Sequence, residues 1–192
     1  MNKYYFNTQL DSPISNIVIE NFSNFYWGLG YPKNQFEVSR FDQQLILLDP
    51  FLKKYHTKLH GKLNLFKFPA LTGYQWHRDG KNLFNLNLTL RKTKSVTIFK
   101  EDPQDTSKIH KNSFSIIELN YEPLKWHIFN AQIEHSVLNL DNEDRILLTY
   151  NVPFESELSY QDMLNELAGP ERFELPTAGF EDQNSSTELR TD

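Results

Sequence analysis

The strongest constraint on the fold is the strict alternation of apolar and polar residues between Leu83 and Leu90. Successive side chains of a β-strand point to opposite faces of a sheet, so this stretch predicts a strand with two unlike faces. One face carries Phe84, Leu86, Leu88 and Leu90, and the other carries Asn85, Asn87 and Thr89.

Seven more segments after Gly61 have strand character, and charged residues 100–112 interrupt them as a loop. In chain order the eight predicted strands are Leu63–Phe68, Gly73–His77, Leu83–Leu90, Ser95–Phe99, Phe114–Leu119, Leu124–Phe129, Ile133–Leu140 and Arg145–Asn151. Eight short strands in succession predict a mainly β fold, either a sandwich or a jelly roll.

The residues before Gly61 have a different period. Apolar residues recur at three- and four-residue steps from Arg40 to His60, which predicts an amphipathic helix that Pro50 breaks or restarts. Before it, Asn16–Glu20 is a candidate short strand and Asn21–Lys33 an irregular packed segment. We therefore expect a helical segment packed outside the β core.

Composition excludes several classes of function. The 192 residues contain no cysteine, so disulfides, iron–sulfur clusters and thiol catalysis are ruled out. Residues 161–192 have eight acidic and two basic side chains, and residues 1–160 are nearly neutral, which gives no strong nucleic-acid signal. No segment has the pattern of a signal peptide or membrane span, so we expect a soluble, cytoplasmic protein.

The last 32 residues differ from the rest. Tyr160–Ala168 is a candidate short helix, and the sequence from Gly169 onward is polar, without periodicity. Gly169–Asp182 resembles the peptide produced when a transfer-RNA gene is translated, so we expect a disordered read-through tail without function. An acidic interaction tail is the alternative. Residues 1–160 are thus expected to form one domain, with its β core at about 61–152.

A candidate metal site begins with His77 and Asp79, which share a face if the preceding run is a strand. Four of the other five histidines are poor third ligands: His56 and His60 lie among lysines, His110 is in a charged loop, and His127 is in mid-strand. His135 opens a strand-like segment, and Arg145 follows it by ten residues.

Two histidines and one carboxylate that leave one side of a metal open are the ligand set of non-haem Fe(II) oxygenases. An arginine holds a carboxylate through two parallel hydrogen bonds and keeps its charge, so Arg145 suits a dicarboxylate co-substrate. Each residue also has a simpler interpretation. Asp79-Gly80 fits a turn, His135 a buried core histidine, and Arg145 a surface residue opposite Asp141 or Glu143.

This pattern resembles the 2-oxoglutarate- and Fe(II)-dependent dioxygenase superfamily over roughly residues 61–152. Trp76–Gly80 and His135–Asn139 with Arg145 look most like its aspartyl/asparaginyl β-hydroxylase branch. The resemblance implies a double-stranded β-helix, a jelly roll of the cupin type. In it His77 and Asp79 follow the second strand, His135 lies on the seventh, and Arg145 begins the eighth and binds the far carboxylate of 2-oxoglutarate.

The resemblance also implies the chemistry. Fe(II) would be bound by His77, Asp79 and His135, and O2 and 2-oxoglutarate would be consumed to hydroxylate an amino-acid side chain or a small molecule, with succinate and CO2 released. Asn87 and Asn85 on the polar face of the third strand, and Thr149 on the face of Arg145, are the further candidates for binding 2-oxoglutarate.

Two other functions stay open. A zinc-dependent hydrolase could use the same three ligands, although the usual helical pair of histidines with a glutamate between them is absent. A non-catalytic jelly-roll binding module is the second. Among the aromatic residues, we expect Trp76 to pack in the scaffold. Tyr74 and Trp126 are candidates for shaping the mouth of the pocket, with packing in the core as the favoured alternative for each. Oligomeric state has no signal in the sequence.

Overall fold

The structure, a computed structural model, describes residues 3–30, 36–40, 42–101 and 115–168. Two antiparallel sheets contain its eleven strands. Seven strands form the larger sheet, in the order β1 (Tyr5–Asp11), β9 (Lys125–Phe129), β6 (Asn82–Thr89), β11 (Arg145–Pro153), β4 (Lys62–Phe68), β3 (Glu37–Arg40) and β2 (Gly28–Leu29). The smaller sheet contains, in order, β5 (Thr72–His77), β10 (His135–Asn139), β7 (Val96–Glu101) and β8 (Ser115–Asn120).

The eight predicted strands correspond to β4 through β11. Four of them (β4, β6, β9 and β11) lie side by side in the larger sheet, and the other four make up the smaller sheet. The chain therefore passes back and forth between two facing sheets, which is the predicted jelly roll. The loop predicted at 100–112 begins two residues too early, because Lys100 and Glu101 still belong to β7; its remaining residues and Phe114, the predicted start of β8, lie outside the described residues.

The N-terminal segment is helical where its period indicated. A 3₁₀ segment at Gln43–Leu48 is followed by α2 (Pro50–Leu59), so the predicted break at Pro50 is confirmed. Asp49 caps α2 by accepting hydrogen bonds from the backbone N–H groups of Phe51 and Leu52 at 2.9 and 3.0 Å. Gly61 ends the segment where a side chain would collide with the Tyr150 ring, 2.3 Å from an ideal Cβ position.

One strand prediction before this segment is wrong. Asn16–Glu20 lies in α1 (Ile14–Glu20) rather than in a strand. Ile14 and Val18, one helical turn apart, are both fully buried, and this pairing outweighed the β-branched run. The described chain ends in α3 (Tyr160–Ala168). None of the helices in the described residues is both long and apolar enough to cross a membrane.

The main core lies between the helices and the outer face of the larger sheet. This arrangement confirms that the helical segment packs outside the barrel, and α3 joins it. The core includes Phe84, Leu86, Leu88, Leu148, Tyr150 and Val152 from the sheet, and Ile14, Val18, Leu52, Met163 and Leu164 from the helices.

The inner face of the same sheet is polar. Thr149 of β11 is directly opposite Asn87 of β6, and Asn151 is opposite Asn85. Asn85, Asn87 and Thr149 are all nearly inaccessible to solvent. The two faces predicted from the alternation in β6 are therefore confirmed. The polar face turns amides and hydroxyls towards the smaller sheet.

Candidate metal centre

The two sequence-predicted histidines are direct neighbours in the smaller sheet. His77 ends β5 and His135 begins β10, and the two residues are partners in the antiparallel ladder. Side chains at directly opposite positions share a face of the sheet and lie close together. Their ring centroids are 4.2 Å apart. Strand pairing thus joins two residues that are 58 positions apart in the chain.

The same backbone contact fixes both rings. Nδ1 of His77 lies 2.8 Å from the carbonyl oxygen of Gln75, and Nδ1 of His135 lies 2.8 Å from that of Ile133. A carbonyl oxygen only accepts, so each Nδ1 carries the proton and donates it. In the neutral form of each ring Nε2 then carries the lone pair, as a metal-binding histidine requires.

Asp79 supplies a third ligand atom. Its Oδ1 lies 3.4 Å from Nε2 of His77 and 3.9 Å from Nε2 of His135. One ligand atom from each of the three residues lies within 4.8 Å of the others. The backbone around Asp79 is held as well, since its N–H donates to Ala131 and its carbonyl accepts from the Gln132 side chain at 2.9 Å.

The other carboxylate oxygen of Asp79 is already occupied. Oδ2 accepts hydrogen bonds from the side-chain amides of Asn85 at 2.6 Å and Asn82 at 3.3 Å. Burial acts to raise the pKa of Asp79, but the hydrogen bond from His77 and the charge of His135, both in their protonated forms, together with the Asn85 amide outweigh it, and the pKa falls below 3.8. Asp79 is therefore ionised at neutral pH, with Oδ1 directed at the histidines.

The pKa of His135 is lowered in the folded protein. Burial and the neighbouring His77 lower the pKa of His135 below 6.5, and the opposing effects of Asp79 and the Ile133 carbonyl are smaller. Its imidazole is therefore neutral at pH 7. One carboxylate and two imidazoles with converging lone pairs fit a divalent transition metal, and this set leaves other coordination positions free.

These ligands line a cavity of about 240 Å³ between the two sheets. One wall is aromatic, and the Phe36 ring lies 5.4–5.7 Å from the rings of its neighbours Phe66, Phe68 and Tyr74. The lining also includes the polar residues Asn82, Asn85, Asn87, Thr149 and Asn151. A small ligand beside the metal would thus meet both rings and hydrogen-bonding groups on the cavity wall.

Arg145 lies just beyond this wall, on the inner face of β11. It is fully buried, and its guanidinium carbon lies 4.6 Å from the ring centroid of Tyr121 and 5.7 Å from that of Phe68. All three of its nitrogens lack a hydrogen-bond partner in the described part of the chain. Burial lowers the pKa of Arg145, with Tyr121 opposing the shift, yet a guanidinium stays charged at any ordinary pH.

Other polar atoms nearby share this lack of a partner. Oγ1 of Thr149 and Oδ1 of Asn87 are buried and unbonded within the described residues. An unsatisfied buried polar group costs about 1–3 kcal/mol, and a buried charge without a partner costs more. An anion that reached Arg145 and Thr149 would remove this cost, so the inner end of the cavity fits a carboxylate.

The structure brings together the sequence-predicted site residues. His77, Asp79 and His135 converge, while Asn85, Asn87 and Thr149 line the same cavity. Tyr74 also lies on its wall, as expected. The simpler interpretation of Arg145 as a surface residue is wrong, because it is fully buried.

Trp126, His56 and His60 do not line the cavity. The predicted place of Trp126 at the pocket mouth is wrong: it is buried in the helix-side core and donates to Asp49 at 3.0 Å. Nδ1 of His56 lies 2.7 Å from the Tyr150 hydroxyl, and His60 has left-handed backbone (φ 52°) after α2. His110 lies outside the described residues.

Sequence reasoning missed several residues of the site. Asn151 was detectable, because it lies six residues after Arg145 and two after Thr149, on the same face of the strand. Tyr121, whose ring covers Arg145, and Gln132, which bonds Asp79, lie in connections between strands. No periodic signal marks such positions.

Comparisons by sequence find no matching family model and no matching curated protein. By structure, a Pseudomonas putida prolyl-4-hydroxylase is 12% identical with a TM-score of 0.51, over 78% of this chain and 90% of that one. HygX from Streptomyces hygroscopicus, solved with nickel, 2-oxoglutarate and hygromycin B, is 8% identical with a TM-score of 0.50, over 86% and 89%. Vicilin from Corylus avellana (hazelnut) is 9% identical with a TM-score of 0.42, over 69% of this chain but 33% of its own. The chain therefore shares a jelly-roll fold with proteins that include 2-oxoglutarate oxygenases.

Proposed function

We propose that this protein is a 2-oxoglutarate- and Fe(II)-dependent oxygenase that hydroxylates an amino-acid side chain or a small molecule. His77, Asp79 and His135 bind the iron, and Arg145 binds the far carboxylate of 2-oxoglutarate. The observation that carries the proposal is the buried Arg145, which has no anionic partner among the described residues and lies on the inner face that also lines the candidate metal cavity. A metal site alone would not require such a group.

The chain's own residues orient and enclose the reactants. When bound, iron and 2-oxoglutarate supply oxidative chemistry, in which one O2 atom enters a substrate C–H bond and the other enters succinate as CO2 is lost. Protonated Nδ1 atoms keep Nε2 of both histidines directed inward, and ionised Asp79 balances part of the metal charge. The aromatic wall around Phe36 limits access of water.

Arg145 and Thr149 have separate tasks in this proposal. The guanidinium supplies charge and two parallel donors, while the Thr149 hydroxyl, four residues further along the same face, supplies a neutral donor. Of the β11 residues that line the cavity, Leu147 is the nearest in sequence to Arg145. Binding of the dicarboxylate therefore brings its far carboxylate past Leu147 to Arg145.

The two alternatives fit less well. A zinc hydrolase needs a general base beside the metal, and Asp79, already a ligand, is the only carboxylate among the described residues of the cavity wall. A binding module without a co-substrate gives no reason for a buried, charged Arg145 that has no anionic partner among the described residues. Both alternatives predict that Arg145 is dispensable for activity or binding.

The resemblance to the aspartyl/asparaginyl β-hydroxylase branch rests partly on Asn139. This buried amide donates to the carbonyl oxygens of Phe68, Pro69 and Glu143 at 2.9–3.1 Å. Its side chain thus ties the end of β10 to the turns beside it. That structural task accounts for Asn139 in any branch, so the proposal stays at the level of the superfamily.

The test is anaerobic titration of the full chain with Fe(II) and then 2-oxoglutarate. A visible metal-to-ligand charge-transfer band is expected in the wild-type protein. The band should be lost in His77→Ala, which removes a metal ligand, and in Arg145→Met, which removes the carboxylate-binding group. A wild-type protein that binds Fe(II) but gives no band with 2-oxoglutarate would refute the proposal.

A further inference from the structure

Three asparagines form a continuous chain of hydrogen bonds that ends at the candidate metal ligand Asp79. The Asn64 amide donates to Oδ1 of Asn151 at 2.8 Å, and the Asn151 amide donates to Oδ1 of Asn85 at 2.9 Å. The Asn85 amide donates to Oδ2 of Asp79 at 2.6 Å. The chain crosses β4, β11 and β6 on the inner face of the larger sheet.

The direction of these bonds follows from the last acceptor. An ionised carboxylate only accepts, so Asn85 must turn its NH2 group towards Asp79 and its carbonyl oxygen towards Asn151. Asn151 must then turn its own NH2 group towards Asn85, and Asn64 must do the same towards Asn151. Each amide is held in one orientation by the next, and hydrogen bonds in such a series strengthen one another.

Asn87 shows that this arrangement is not a general property of the polar face. It lies on the same face of β6 as Asn85, two residues further along, and it is equally buried. Its amide donates to the Tyr121 hydroxyl at 3.2 Å, and its carbonyl oxygen has no partner in the described residues. The chain therefore leads specifically to Asp79.

We propose that Asn85, Asn151 and Asn64 are positioning residues that keep Oδ2 of Asp79 occupied, so that the metal is bound through Oδ1 alone. A carboxylate that binds through one oxygen uses one coordination position and leaves more of them for co-substrate and O2. The inference rests on the proposed function, because it presupposes that His77, Asp79 and His135 bind a metal. Asn82 is not one of the three linked asparagines, but its amide adds a weaker hydrogen bond to Oδ2 of Asp79 at 3.3 Å.

The test measures Co(II) affinity of the metal-free full chain by titration calorimetry, together with the visible spectrum of bound Co(II). Partners of metal ligands typically contribute 10–100-fold to affinity, so Asn85→Leu should weaken binding about tenfold or more. Asn151→Leu should have a smaller effect and Asn64→Leu the smallest. Asn87→Leu is the matched control: the Asn87 amide bonds Tyr121 rather than a metal ligand, so Co(II) affinity measured without 2-oxoglutarate should not change.

The double variant Asn85→Leu/Asn151→Leu separates positioning from packing. If Asn151 acts only through Asn85, the double variant binds Co(II) as Asn85→Leu alone does, whereas independent effects would add. Thermal unfolding of each metal-free variant verifies that it folds. If Asn85→Leu does not fold, Asn151→Leu replaces it in the comparison with Asn87→Leu, because Asn151 is only half-buried and its substitution disturbs the interior less. Additive effects, or equal losses in Asn87→Leu and Asn85→Leu, would overturn the inference. A wild-type protein that binds no Co(II) would overturn the proposed metal site as well.

Discussion

The two faces of β6 and β11 are equally buried but consist of different residues. The face towards the helices carries Leu86, Leu88 and Leu148 in a continuous apolar core. The face towards the cavity carries amides, hydroxyls and Arg145, several of whose polar atoms have no partner among the described residues. Because burial is the same, the contrast reflects the two tasks of one sheet: folding on the outside and ligand binding on the inside.

The two faces also contribute to stability with opposite signs. Burying an apolar side chain is favourable by roughly 1.5–3 kcal/mol. Each unsatisfied polar group inside a protein costs about 1–3 kcal/mol. The outer face therefore stabilises the metal-free fold, and part of the inner face destabilises it until a ligand binds. Substitutions on the two faces should separate stability from ligand affinity.

The largest effect on stability is expected at Leu148, which is fully buried opposite Leu88. Leu148→Ala should lower the free energy of unfolding by about 2–5 kcal/mol, because it removes apolar contacts and leaves a void in the helix-side core. Urea denaturation measures this loss. The 2-oxoglutarate affinity of the folded protein should not change.

Leu147→Ala is the matched control for this substitution. Leu147 is the preceding residue of β11, and it lines the inner cavity instead of the helix-side core. Its truncation should cost less stability, because one side of the residue already faces open space, and it should alter 2-oxoglutarate affinity. Equal changes in affinity for the two variants would show that the faces are not separate.

Arg145→Met should have the next largest effect, and in the opposite direction. Replacing the buried guanidinium by an apolar chain of similar length removes an unpaired charge, so the metal-free protein should gain about 1–4 kcal/mol in the free energy of unfolding. Binding of 2-oxoglutarate should be lost. Urea denaturation and the charge-transfer band measure the two changes. A destabilised variant that still binds 2-oxoglutarate would contradict the assignment of Arg145.

Much of this contrast could be predicted from the sequence. Alternation in β6 correctly assigned Asn85 and Asn87 to one face and Leu86 and Leu88 to the other. In a strand, successive side chains point to opposite faces of the sheet, so position in the sequence directly determines the face. The pattern of His77, Asp79 and His135 pointed to residues that the structure brings within reach of one ion. Local periodicity and ligand chemistry were sufficient for these features.

Other features depend on contacts between distant segments. Nothing in the spacing of His77 and His135 shows that they are partners in a ladder, since register is set by pairing across the sheet. The asparagine chain joins three strands, and its members are 21 to 87 residues apart. Trp126 was misplaced because its side of β9 depends on the Asp49 carboxylate, which reaches it from the cap of α2.

A smaller effect is expected at Thr149, whose buried hydroxyl has no partner in the described residues. Thr149→Val removes that hydroxyl at nearly constant volume, so the free energy of unfolding should stay the same or rise by up to about 1 kcal/mol. Affinity for 2-oxoglutarate should fall about five- to tenfold, the effect of losing one hydrogen bond. Titration calorimetry and urea denaturation measure the two quantities.

Thr97→Val is the matched control. Thr97 is equally buried in the facing sheet, but its hydroxyl lies 3.1 Å from that of Tyr121 and is hydrogen-bonded to it. The same substitution there should lower the free energy of unfolding by about 1 kcal/mol, because it removes the hydrogen bond between Thr97 and the Tyr121 hydroxyl. A stability loss in Thr149→Val as large as in Thr97→Val would mean that the Thr149 hydroxyl is not unsatisfied.

The smallest effect is the pH dependence of the metal-free protein, which two histidines of the interior should dominate. Burial is the main cause that lowers the pKa of both His135 and His127 below 6.5 in the folded state. The folded protein then binds fewer protons than the unfolded chain, so the free energy of unfolding should decrease as pH falls below about 6.5. Urea denaturation at pH 7.5 and 5.5 measures the slope. His127→Gln should reduce that slope, because it removes one of the two titrating groups, while a slope of opposite sign would show that these histidines are charged in the fold.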